Sequence, residues 1–84
     1  MTLGQRMFGT RLNQLRKKRG YTALQMATIL SVGLRTYRHY ESGHSSPSFD
    51  TLIKIADTLD TSIDWLLGRD DYLKSHGVSV DEYL

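Results

Sequence analysis

TALQMATILSVGLRTYRHYESG, residues 22–43, is the stretch on which the fold turns. Met26, Ala27 and Leu30 fall at i, i+1 and i+4, one apolar helical face, and Thr22 stands before them as a cap. Ser31, Val32 and Gly33 break that helix, and a second follows from Leu34 to about Glu41, before Ser42-Gly43. Val32, Tyr37 and Tyr40 form the inward set beyond the turn, while the small Ala27 sits where two steeply crossed helices must nearly touch. That leaves Leu34, Arg35, Arg38 and His39 on the outer face of the second helix. Arg grips guanine bidentately and His donates to a base edge or a phosphate, the chemistry that a helix lying in a DNA major groove needs.

Charge is divided along the chain in the same sense. The net charge is +2, yet residues 1–44 hold eight Lys/Arg against Glu41 alone, a local +7. Residues 45–84 hold three bases against eight acids, a local −5. A molecule polarised in this way turns one side toward a polyanion and the other away. Lys17, Lys18 and Arg19 would by themselves be read as solvating a helix end. Beside the two-helix unit they read better as phosphate-attracting groups, with Lys17 and Lys18 as phosphate contacts.

Several classes of function are excluded by what the sequence omits. Eighty-four residues make one domain with one core, a small one, adequate for helices with short connections. There is no cysteine, so no disulfide or thiolate metal site is expected. His39, His44 and His76 lack metal-ligand spacing, and no Ser or Asp is placed with a base as a nucleophile would be. No catalytic residue, metal or cofactor is therefore expected, and an enzyme is not. No apolar run approaches the ~20 residues of a membrane span, and the N-terminus has no signal-peptide layout. A cytoplasmic, nucleoid-associated protein without membrane contact is the expectation.

The rest of the chain reads as helix throughout. Thr2 and Gln5 have capping-box spacing, so a first helix begins near Leu3, with Phe8, Leu12 and Leu15 inward and Gly20 at its end. After the loop His44-Ser45-Ser46-Pro47, Ser48 caps a fourth helix with Leu52, Ile53, Ile55, Ala56 and Leu59 as a buried stripe. Ser62 caps a short fifth helix, Ile63 to Leu67, stopped by Gly68, in which Trp65, Leu66 and Leu67 read as core. No strand pattern occurs, so the fold class is all-α.

With these pieces in order, residues 8–68 resemble the helix–turn–helix domain of phage repressors and Cro-type regulators, the XRE family. The resemblance is carried by FGTRLNQLRKKRGYT at 8–22, Met26-Ala27, TYRHYESG at 36–43, PSFDTLIKIADTL at 47–59 and SIDWLLG at 62–68. It implies a five-helix lambda-repressor-like bundle over residues 1–68, a tail at 69–84, operator DNA as the ligand and a symmetric homodimer. It also implies base reading by Leu34 and Arg35, with His39 one turn later and Arg38 facing base or backbone. Thr22 and Ser42 match positions that hold the DNA backbone, and Thr36 and His44 are assigned to phosphates with them. Arg16 and Glu41 match a pair that joins two helices and brings the Arg near a phosphate.

Three positions depart from the family pattern. Ala23 replaces the usual phosphate-touching Gln, so that contact is missing or comes from Gln25 or Thr22. Ser31 replaces a left-handed Gly, which costs about 1 kcal/mol. Gly33 replaces a Ser or Thr cap. Beyond the family core, Ser79 and Glu82 have capping-box spacing, so SVDEYL at 79–84 is expected to form a helical turn or two. The tail's Tyr72, Leu73, Tyr83 and Leu84 pack either on their own chain or on a second copy, and a dimer contact is the favoured reading. With 84 residues there is no room for the autoproteolytic domain of some repressors, so induction by self-cleavage is not expected. The leading function is a repressor or Cro-like regulator; the rival is a module that binds a protein partner, such as a toxin or an anti-repressor. Arg35, Arg38 and His39 favour the first.

Overall fold

Short capped helices joined by left-handed turns make up the computed structural model, which describes residues 2–78. Among those residues six helices follow one another and no strand occurs: α1 Leu3–Lys18, α2 Ala23–Leu30, α3 Leu34–Ser42, α4 Phe49–Leu59, α5 Ile63–Leu66 and α6 Asp70–Ser75. The expected starts are built as the side chains predict. Thr2 and Thr22 each close a capping box with Gln5 and Gln25, while Ser48 and Ser62 accept from Thr51 N and Trp65 N. Gly20 follows α1 at φ 83°, and Ser31 ends α2 in the left-handed region at φ 57°. Ser31 thus takes the left-handed conformation expected at the turn between α2 and α3.

The core takes Leu12 and Leu15 from α1, Met26 from α2, Tyr37 from α3, Ile55 and Leu59 from α4, and Trp65 and Leu66 from α5, all but inaccessible to solvent. Two small residues set the helix spacing. Ala27 is buried where α2 meets α3. Gly9 lies so close to α3 that a Cβ there would fall 2.5 Å from the Glu41 carbonyl oxygen and 2.8 Å from that of Tyr40. Any side chain at Gly9 would push α3 outward.

Some expected core positions fail. Ile53 is 49% exposed and Leu67 is 40% exposed. The buried stripe of α4 runs through Leu52, Ile55, Ala56 and Leu59 at i, i+3, i+4 and i+7, and Ile53 falls a hundred degrees from Leu52, beyond it. Helix α5 is one turn long, so Leu67 has become its C-cap and points outward.

A sixth helix replaces the expected five-helix count. Asp70 and Asp71 stand in its first turn, where carboxylates suit the helix dipole. Leu73 is its one buried side chain, too little for a periodic signal. The helix is held from outside: the Arg11 guanidinium of α1 donates to both Asp70 carboxylate oxygens at 2.7 Å and to the Trp65 carbonyl at 2.6 Å, and it lies over the Trp65 ring. Leu73 therefore packs in its own chain's core at 5% exposure, which corrects its expected place in a dimer contact. Tyr72 stays 43% exposed, whereas Tyr83 and Leu84, with the helix expected in SVDEYL, lie outside the described residues.

Candidate nucleic-acid interface

Helix α3 sorts its side chains by the helical period. Tyr37, Tyr40 and Glu41, at i, i+3 and i+4, face the body of the domain; Arg35, Arg38, His39 and Ser42, at i, i+3, i+4 and i+7, face away. Arg35, Thr36, Arg38, Ser42 and His44 are exposed, and Leu34 and His39 are half-buried. Lys17 and Lys18 are exposed in the last turn of α1, and Thr22 is exposed at the start of α2. Gly33 offers no side chain to cap α3, so the first amides of the recognition helix are left for an outside acceptor.

Glu41, the one acid among residues 1–44, is drawn inward. Its carboxylate accepts from Arg16 Nε at 2.6 Å, Arg16 Nη2 at 3.3 Å, Asn13 Nδ2 at 2.8 Å and the Tyr37 hydroxyl at 2.6 Å. Burial pushes the Glu41 carboxyl up, but the hydrogen bonds from Arg16, Tyr37 and Asn13, with the Arg16 charge, outweigh it and hold the group below its ordinary value. The hydrogen bond to Glu41 in turn raises Arg16, and burial raises the Tyr37 hydroxyl far out of the physiological range. Glu41 stays ionised, compensated and hidden. Its negative charge does not oppose a polyanion approaching the outer face.

This network corrects one assignment. Arg16 is 9% exposed and donates a further bond to the Tyr21 carbonyl at 2.9 Å, so its fork is committed to the protein rather than to a phosphate. Asn13 and the Tyr37 hydroxyl were missed as members. Both had a legible signal: Asn13 lies three residues before Arg16 on α1, and Tyr37 four before Glu41 on α3. Gly9, whose missing side chain lets α1 and α3 meet, carried no such signal. At Thr22 the hydroxyl accepts from Gln25 N, and the Gln25 side-chain oxygen accepts from Thr22 N. The Gln25 amide nitrogen and the Thr22 hydroxyl proton are left to replace the contact missing at Ala23.

The end of α3 brings two expected DNA contacts together. His44 N donates to the His39 carbonyl at 2.9 Å and Gly43 N to the Tyr40 carbonyl at 3.2 Å, a Schellman closure with Gly43 at φ 77°. This places the His39 and His44 rings in contact, 4.7 Å between centroids and tilted by 54°.

Two short helices about a left-handed turn, the second with a basic outer face, make this a helix–turn–helix domain. The chain belongs to the helix–turn–helix family of the phage-repressor and Cro type, the XRE group, whose model matches residues 12–66. It is 46% identical over 59 residues to the cryptic phage CTXphi transcriptional repressor RstR of Vibrio cholerae, covering 70% of this chain and 53% of that one. It is 43% identical over 60 residues to the transcriptional regulator AnsR of Bacillus subtilis, covering 71% and 52%. With ImmR of the same organism the identity is 37% over 68 residues, covering 81% and 54%. The chain thus spans about half the length of these curated relatives. A transcriptional regulator from Listeria innocua shares the fold, with a TM-score of 0.68 at 30% identity over 89% of this chain and 80% of that one.

Proposed function

We propose that this chain is a sequence-specific transcriptional regulator, a repressor or Cro-like protein, that binds a palindromic double-stranded operator as a homodimer. The observation that carries the reading is the division of α3: Arg35, Arg38 and His39 face outward while Glu41 is bound within the domain. Arg35 and Leu34, at the start of the helix, read bases; Arg38 and His39 extend the contact by a turn. Lys17, Lys18, Thr22, Thr36, Ser42 and His44 flank them as backbone contacts. The similarity to RstR, a phage transcriptional repressor, supports the same reading. Blocking a promoter by occupying it needs neither catalysis nor cofactor, and it places the protein in the cytoplasm with the nucleoid.

One recognition helix reads too few base pairs for genomic specificity, so two copies are required, their helices roughly 34 Å apart in successive major grooves. The acidic half turns away from DNA and carries the contact, with Tyr72 still exposed for it. Selecting bound duplexes from a random library tests the function. A palindromic consensus bound about a thousandfold more tightly than random duplex is expected; equal affinity for both defeats it. Sedimentation of the intact chain with and without Tyr72→Asp tests the dimer contact, and an unchanged dimer would remove Tyr72 from it.

A further inference from the structure

The His39–His44 contact is a chemical unit that neither residue forms alone. A Schellman closure ordinarily brings two apolar side chains together at these positions; here it brings two imidazoles. Their spacing is set by backbone, because the His39 carbonyl accepts from His44 N at 2.9 Å and Ser45 N at 3.3 Å, and from the Ser42 hydroxyl at 3.2 Å. With 4.7 Å between centroids, the two rings stand together at the end of α3 as one imidazole face.

The surroundings decide what adds that proton. Helix α3 itself contributes Arg35 and Arg38, whose charges oppose it in the free protein. Of its other ionisable groups, Tyr37 and Glu41 are bound to each other and displaced out of the neutral range in opposite directions, and Tyr40 is buried. Helix α1, packed on α3, offers Arg16, which is bound to Glu41, and α2 carries no charged side chain. From the loop 44–48 the only ionisable group is His44, and α1 reaches that loop through Gln5 Nε2 on the Ser46 hydroxyl at 3.2 Å. Among the described residues no acid forms an ion pair with either imidazole. What the pair lacks is a negative or strongly accepting group in front of it.

We propose that DNA is that group, and that His39 and His44 face it together, so that operator binding takes up a proton. The acceptor is a phosphate oxygen or the guanine N7/O6 edge; both accept from an imidazolium. This rests on the reading of α3 as the DNA-facing helix and adds a protonation step to it. Affinity should rise as pH falls from about 8 to 6, by up to tenfold per pH unit for one proton.

The test uses the full chain and two probes: a duplex recovered by selection and a random-sequence duplex of equal length. Titration calorimetry in buffers of different ionisation enthalpy counts the protons taken up, and binding is repeated across that pH range. The expected result is proton uptake by the wild type, abolished in the double variant His39→Gln/His44→Gln and kept in His76→Gln. Arg38→Ala should weaken binding while leaving the pH slope in place. Uptake on both duplexes assigns the phosphate as acceptor; uptake on the selected duplex alone assigns the base edge. Tight, selective binding without proton uptake overturns the pair and leaves the DNA reading standing. Failure to bind any duplex at any pH overturns both.

Discussion

Arg11 and Arg16 leave the same helix and each forks onto a carboxylate of another helix, yet the two junctions differ in kind. At the α1–α3 junction both partners are about nine-tenths hidden, at 11% side-chain exposure each, and the Glu41 carboxylate also takes bonds from Asn13 and Tyr37. At the α1–α6 junction Arg11 makes a bidentate pair of good geometry, but Asp70 is 29% exposed and water competes for it. The first junction holds the recognition helix; the second fastens an extension. The same pairing chemistry is a structural necessity in one place and an adjustable clasp in the other, and burial makes the difference. Both also remove arginines from the surface available to DNA, leaving Lys17, Lys18, Arg35 and Arg38 as the exposed cations of the proposed interface.

The largest effect should follow from breaking the buried junction. Glu41→Ala leaves Arg16 and Tyr37 without their acceptor and should lower stability by about 3 kcal/mol in urea unfolding. Operator affinity should fall with it, since α3 loses its anchor. An unchanged unfolding midpoint would place this junction in the same class as the Arg11 clasp.

Next in size is the loss of a base-reading side chain. Arg35→Ala should weaken operator binding by about 1–3 kcal/mol and relax preference at one position of the site. A loss equal on all sequences would make Arg35 a phosphate contact. The comparison between tied and free cations sharpens at this point. Lys17→Ala should reduce the magnitude of the salt slope of binding by about one, whereas Arg11→Ala, already paired to Asp70, should leave it nearly unchanged.

Acid unfolding separates the two junctions by size. The Glu41 carboxyl is held below its ordinary value of 4.5, so the stability it contributes is complete above that pH and disappears as pH falls through the folded value. Asp70 is held below 3.8, mainly by the Arg11 hydrogen bond, and behaves in the same direction. Glu41→Gln should therefore flatten the acid limb of a stability–pH curve more than Asp70→Asn does. The reverse order would show that exposure at Asp70 does not weaken its pair.

The smallest effect belongs to the clasp at neutral pH. Asp70→Asn should lower stability by less than about 1 kcal/mol, read as a small shift of the unfolding midpoint. A loss comparable to that of Glu41→Ala would mean that α6 is as integral as α3.

Local chemistry was legible from α1 to α5. The caps at Thr2, Thr22, Ser48 and Ser62 and the inward placing of Tyr37 and Tyr40 follow from side chains within four residues of one another, whereas the left-handed Ser31 was expected through family resemblance. Those interactions have the helical period, so a sequence displays them. The pairing of Arg16 with Glu41 was expected through family resemblance and stands at 2.6 Å, but its two further partners were not foreseen. The proposed base-reading set was legible for the same reason: it is the complement of the buried face of α3.

What the sequence determined by itself is the set of helices α1 to α5, the turn between α2 and α3, and the face that α3 turns outward. Each rests on short-range rules of capping, periodicity and backbone conformation. Tertiary structure alone decided that Gly9 lets α1 touch α3, that Arg11 draws α6 onto the domain and that Leu73 belongs to the core. These join groups far apart in the chain, where no periodicity reports the contact, and in each the physical cause is a distance that exists only once the helices are packed.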